Sequence, residues 1–298
     1  MASKRGLLLV WLFCFSLAEA SIEVTDDLGQ TLQLPQPAQR IISLSPHLTE
    51  NLFAVGAGDQ LVGAVSFSDY PPAALELPRV GRYDQLDLET LLSLQPDLVV
   101  AWHSGNPSAQ VRRVEQLGIP VYFSEPRQLS DLSRELRNLA RLSGQEAQGF
   151  ALADSIDNGI NALQPAEISV VPRVFYQIWD QPLMTVGGGH VISEVIQRCG
   201  GVNLFAELSS LAPQVSLEAV ILKNPDVILS GGMGEANSAW LDAWQAYPQV
   251  TAVQHQQLHF IPPSLIQRTT PRLLEGAALI CEALAQAAQV KTSQVARP

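Results

Sequence analysis

The chain has 298 residues, 47% of them hydrophobic and 16% charged, with 20 glycines and 20 prolines. That mixture suits a folded globular protein and excludes a disordered or collagen-like chain. A formal charge of −11 leaves no extended basic surface for a nucleic-acid backbone, so a polynucleotide partner is set aside.

Residues 1–20 have the pattern of an export signal: Lys4 and Arg5, an apolar run from Gly6 to Leu17, then Ala18-Glu19-Ala20. The run is too short to cross a hydrocarbon core, which takes about 20 apolar residues. Cys14 follows the bulky Phe13, a poor lipidation site, so cleavage is expected after about Ala20. Cys199 and Cys281 then remain, and an even pair in an exported chain reads as one disulfide.

Residues Arg40 to Leu44 predict a buried strand, and Ser45-Pro46 a helix start with serine as cap and proline in the first helical position. That helix runs to about Val55, where Gly56 and Gly58 stop it. Strands are expected again at Leu61 to Val65, Leu98 to Ala101 and Pro120 to Phe123, with a helix from about Ser108 to Leu117. Leu129, Leu132, Leu136, Leu139 and Leu142 recur at helical spacing up to a break at Ser143-Gly144. Phe150, Ile156, Ile160 and Leu163 continue the pattern before Pro165, and Val174 to Ile178 reads as a strand.

Strands alternating with helices imply a mostly parallel sheet covered on both faces. The segment from Leu86 to Val100 matches that from Val215 to Leu229 at a constant offset of 129 residues. Each copy reads cap, short helix, Pro-Asp turn and buried strand. Two copies so far apart indicate two similar α/β lobes, since a solenoid would show many copies at short period. No Gly/Ser-rich linker is present. A stiff helix over 145–164 is therefore expected to join a lobe over 21–144 to one over 165–298, leaving a cleft between them.

Reaction motifs are missing: there is no phosphate loop, no G-x-S-x-G elbow, no H-E-x-x-H and no C-x-x-C. The glycine clusters at Gly187 to Gly189 and Gly231 to Gly234 read as turns. The five histidines are dispersed, which favours surface or capping roles over a metal site, although His47, His103 and His190 stand at strand ends that could face a cleft. Tyr70, Tyr83, Trp102 and Trp179 lie near strand ends, where parallel sheets bind ligands. Each alone reads equally as a seal between lobes; together they predict a ligand pocket. Glu89 and Glu218 occupy equivalent positions of the repeat, two residues after the caps Asp87 and Ser216. The helix dipole favours acids there by about 0.3–1 kcal/mol, and the duplication also sets one carboxylate on each lobe, a pair suited to basic pockets on a two-fold partner.

The segment Arg40 to Pro46 with Thr49-Glu50, Ser68-Asp69-Tyr70-Pro71-Pro72, Trp102 with Gly105-Asn106, the duplicated L-E and P-D segments and Ser264 to Arg268 resemble the substrate-binding proteins of ABC importers for vitamin B12. The resemblance covers the whole chain after the signal. It implies two Rossmann-like α/β lobes with parallel sheets joined by a single long rigid helix, the class III periplasmic binding protein architecture. It also implies a monomeric, non-enzymatic periplasmic receptor that captures cobalamin or a related corrinoid and passes it to an inner-membrane ABC permease dimer. Tyr70, Tyr83, Trp102, Ile178, Trp179 and Arg268 match ligand-contacting positions, Glu89 and Glu218 the permease-docking acids, and Cys199 with Cys281 the family's disulfide. Tyr83, Ala212 and Leu265 stand where the family pattern has Trp. Haem or a ferric siderophore is the alternative ligand; an exported enzyme and a divalent-metal binder using His47, His103 and His190 are the other classes weighed.

Overall fold

The structure, a computed structural model, describes residues 21–163, 170–231 and 239–295. The expected signal over residues 1–20 lies outside them, as do Pro165 and the glycines from 232 to 234.

A small antiparallel hairpin, β1 (Ile22–Thr25) with β2 (Thr31–Leu34), precedes the first lobe. Then come β3 (Ile41–Ser43), α1 (Pro46–Ala54), β4 (Leu61–Ala64), the two-residue strands β5 (Gly81–Arg82) and β6 (Gln85–Leu86), α2 (Leu88–Ser93), β7 (Leu98–Trp102), α3 (Ser108–Gln116) and β8 (Val121–Ser124). Two long helices follow, α4 (Leu129–Ser143) and α5 (Glu146–Ala162), separated at Gly144, whose φ of 71° is the left-handed value glycine adopts without strain. The second lobe holds β9 (Arg173–Gln177), α6 (Val191–Arg198), β10 (Val202–Asn203), α7 (Leu217–Lys223), β11 (Val227–Ser230), α8 (Ala239–Ala243), α9 (Thr251–Gln254), β12 (Leu258–Phe260), α10 (Pro263–Ile266) and α11 (Leu273–Val295).

The duplication is visible in the topology. The first sheet has the order β4-β3-β7-β8 and the second β10-β9-β11-β12, all parallel, so each lobe arranges its four strands as second, first, third, fourth. The matched segments become α2–β7 and α7–β11. Their helices start alike: the Asp87 carboxylate accepts from the Thr90 amide at 3.0 Å, and the Ser216 hydroxyl from the Ala219 amide at 3.1 Å. Ser45 behaves differently from the expected cap. Its hydroxyl meets His47 Nδ1 at 2.5 Å and leaves the amides of α1 uncapped by its side chain.

α5, about 25 Å long at 1.5 Å per residue, packs along α4 and touches α11. The union of the lobes is broader than that helix. One apolar core runs from Leu48, Leu52 and Tyr122 through Leu132, Leu136, Leu139 and Ile156 to Val195, Ile280 and Leu284. Each lobe also has a second cluster on the far face of its own sheet. Cys199, at the end of α6, is bridged to Cys281 on α11 across a separation of 82 residues. On the chain-entropy account that loop stabilises the folded state by about 4 kcal/mol. Replacing both cysteines with alanine is expected to lower stability by that order in urea unfolding, without altering the far-ultraviolet circular dichroism of the folded chain.

Candidate ligand-binding cleft

In each four-stranded sheet the strand order reverses at the lobe's first strand, leaving a crevice beyond the carboxyl ends of its first and third strands, the place where α/β sheets bind ligands. In the first lobe that crevice lies between β3 and β7, and the chain leaving these strands carries Ser45, Pro46 and His47 on one side and Trp102 and Ser104 on the other. Opposite stand Gly189 to Val191 at the start of α6 and Gln267 to Thr269 after α10. Together they enclose a cavity of about 240 Å³ between the lobes.

Tyr83 is one residue of the short turn joining β5 to β6, which exposes its ring to the cavity beside Trp102, with ring centres 6.2 Å apart. Asn106 secures both. Its amide donates to the carbonyls of Tyr83 and Leu44 at 2.8 Å, and its side-chain oxygen accepts from the Trp102 amide at 2.6 Å. The Trp102 ring lies over Gly105 so closely that any side chain there would collide with it. His47 packs edge-on against Trp102, interplanar angle 86°, and burial with the nearby Arg268 charge lowers its pKa to about 3, so its imidazole is neutral.

The facing wall carries one guanidinium. Arg268 reaches across to the first lobe, donating to Asp69 at 2.6 Å and to the Phe67 carbonyl at 3.2 Å. Burial opposes ionisation of Asp69, but hydrogen bonding and the charge of Arg268 outweigh it and hold the carboxyl below its usual range. Behind this contact Arg272 makes a bidentate pair with Glu50, at 2.7 and 2.6 Å, with the Glu50 side chain only 3% exposed. The same guanidinium lies 3.8 Å over the Tyr70 ring. Asn51, next on α1, donates to the Thr269 carbonyl of the second lobe at 3.0 Å and to Glu135 at 2.6 Å. Glu135 is also bound by the Ser124 hydroxyl. Burial pushes its pKa up to about 7, against those two hydrogen bonds.

The structure thus brings Tyr83, Trp102 and Arg268 into one cavity and sets Tyr70, 42% exposed, beside it under Arg272. Ile178 and Trp179 stand elsewhere. Ile178 packs against the shared core, and Met184 pairs back on Trp179, which rests edge-on against Trp240 with centres 5.8 Å apart. Trp240, Trp244 and Tyr247 line a separate hollow of about 310 Å³ beside the end of β9. Glu89 and Glu218 are exposed in the first turns of α2 and α7. No group of three or more potential metal ligands occurs among the described residues. His190 caps α6, its Nδ1 accepting from the Ile192 amide at 3.1 Å. Sequence reasoning missed Glu50, Arg272 and Asn51 as lobe-joining groups; 222 residues separate the two members of the ion pair, and no local pattern marks them.

Residues 41–265 match the family described as periplasmic binding protein. The chain belongs to that family. A vitamin B12-binding protein of Vibrio cholerae is 39% identical over 251 residues, covering 84% of this chain and 90% of its own, and one of Yersinia pestis is 35% identical over 260 residues, covering 85% and 89%. The crystal structure of the periplasmic vitamin B12 binding protein BtuF of Vibrio cholerae superposes with a TM-score of 0.75 at 38% identity, over 84% of this chain and 98% of that one. The periplasmic haem-binding protein RhuT from Roseiflexus also gives 0.75, at 25% identity, covering 84% and 99%. The two-lobed parallel architecture is the class III periplasmic binding protein fold.

Two stability predictions follow from the groups behind the cleft. Removing one partner of a buried ion pair strands the other charge, so Glu50→Gln should cost roughly 3–5 kcal/mol in urea unfolding, and adding Arg272→Met should restore part of it. Glu135, raised in the folded state from 4.5 to about 7, holds its proton where the unfolded chain loses it. Its contribution is full below about pH 4.5 and is lost as pH rises through 7, by up to ~3 kcal/mol. Melting wild type and Glu135→Gln in parallel between pH 4.5 and 8 should show wild type losing stability relative to the variant as pH rises. A constant difference would remove this assignment.

Proposed function

We propose that this protein is a periplasmic receptor that captures cobalamin or a related corrinoid in the cleft between its lobes and delivers it to an inner-membrane ABC permease. The observation that carries the reading is the cleft itself: the paired rings of Tyr83 and Trp102 face Arg268 across it. Flat aromatic surface and a polar guanidinium suit a large, flat macrocycle bearing amide side chains. Relatives at 39% and 35% identity, named vitamin B12-binding proteins, support the same ligand.

A cavity of about 240 Å³ is smaller than the roughly 300–1,000 Å³ of sites that enclose drug-sized ligands. Capture therefore requires the walls to part, and Arg268, bonded to Asp69 and the Phe67 carbonyl of the first lobe, is a contact that would give way. Arg268 would exchange Asp69 for acceptors on the ligand. Capture and release convert no substrate into product, so it acts as a carrier and not as an enzyme. Residues 1–20 would export the chain to the periplasm, with cleavage after about Ala20, where it would act as a monomer. Glu89 and Glu218 would then meet basic pockets on the two halves of the permease.

Titration calorimetry of the mature chain with cyanocobalamin, hemin and a ferric siderophore tests the ligand. One-to-one corrinoid binding in the submicromolar range is expected, weakened roughly tenfold or more in Trp102→Ala and Tyr83→Ala. Heat from hemin or siderophore with none from cyanocobalamin would replace the corrinoid reading with the haem or siderophore one. For docking, the Glu89→Arg/Glu218→Arg double variant should keep its cyanocobalamin affinity and lose association with the detergent-solubilised permease. Undiminished association would remove the docking role.

A further inference from the structure

Two imidazoles line the cavity, and their hydrogen bonds make them chemically different. His190 Nδ1 accepts a backbone amide, so in the neutral ring its proton sits on Nε2 and that nitrogen is a donor. His47 Nδ1 and the Ser45 hydroxyl share a hydrogen bond at 2.5 Å, while Nε2 is buried and has no hydrogen-bond partner among the described residues. A buried polar nitrogen left unpaired costs about 1–3 kcal/mol, and His47 is one of the residues that line the cavity. Trp102 holds the ring upright against its face.

We propose that His47 Nε2 is an axial ligand for the metal of the captured chelate, selecting corrinoids whose axial site is exchangeable. The proposal rests on the corrinoid reading and extends it. In the tautomer whose Nδ1–H donates to the Ser45 oxygen, Nε2 carries the lone pair, the arrangement in which a second-sphere hydrogen bond fixes tautomer and ring orientation. The step is a ligand exchange: a cobalt–nitrogen bond forms, the cobalt–water bond breaks, the water leaves to solvent, and the metal stays cobalt(III) with no proton or electron transferred. Burial supports it by keeping the imidazole neutral, its pKa lowered to about 3, so its lone pair is free across the ordinary pH range. His190, with its proton on Nε2, serves instead as a hydrogen-bond donor to a ligand side chain.

The test is a visible-spectrum titration with diaquacobinamide, alongside dicyanocobinamide, in which both axial sites are capped. Wild type should shift the bands of diaquacobinamide to those of its imidazole adduct. His47→Gln should leave the aqua spectrum and lose about tenfold or more in affinity for diaquacobinamide beyond any loss for dicyanocobinamide, whose binding reports that the variant is folded. In His190→Ala the shift should persist. Dicyanocobinamide binding with an unshifted diaquacobinamide spectrum in wild type, or a shift that survives His47→Gln, overturns the proposal alone. Failure of both corrinoids to bind overturns the corrinoid reading and the proposal with it.

Discussion

The ion pair between Glu50 and Arg272 decides how the two lobes meet. It is bidentate, nearly dry on the Glu50 side, and formed between a helix near the start of the chain and the residue preceding its last helix. Charges taken out of water are tolerated only when geometry and further hydrogen bonds repay the desolvation, and both are present. Asn51 reaches the Thr269 carbonyl from the adjacent position, and Arg272 rests on Tyr70. α1 is therefore buried from residue 47 to residue 52. Leu48 and Leu52 enter the shared core, while Glu50 and Asn51 hold the second lobe.

With α1 pinned this way, its first turn, Pro46 and His47, becomes part of the cleft wall, and the residues that cross the cleft follow in order along Gln267 to Arg272. Arg268 and Arg272 thus sit four apart with different main partners: Arg272 pairs with the buried Glu50, while Arg268, 4.0 Å from the same carboxylate, reaches the half-exposed Asp69. A receptor built like this gains access to its cavity by exchanging a partly screened surface contact, worth little on its own, while the costly buried pair stays made. The continuous core through α4, α5, α6 and α11 ties the two lobes together behind the cleft.

Much of the architecture was legible because it is written twice. The repeat at constant offset becomes the same strand order in each lobe, and the Asp87 and Ser216 caps are set by local hydrogen-bonding chemistry that a sequence displays. Tyr83 and Trp102 were legible for a related reason, as aromatics at the ends of strands and turns. What was not legible depends on distant partners. Ser45 looked like a cap, but the imidazole two residues on takes its hydroxyl. Trp179 follows a strand as Trp102 does, yet the pairing of Met184 behind it turns it to Trp240 and a different hollow. Nor does the local pattern of α1 show what its polar residues Glu50 and Asn51 meet, because Arg272 and Thr269 come to them only in the tertiary fold.

Capture between the lobes is tested most directly by hydrogen–deuterium exchange of the mature chain with and without saturating cyanocobalamin. Protection should concentrate in the segments around 45–47, 82–85, 102–106 and 267–269, on both sides of the one cleft. Protection confined to the hollow beside Trp179, Trp240 and Tyr247, or absent from the second-lobe segment at 267–269, would contradict it.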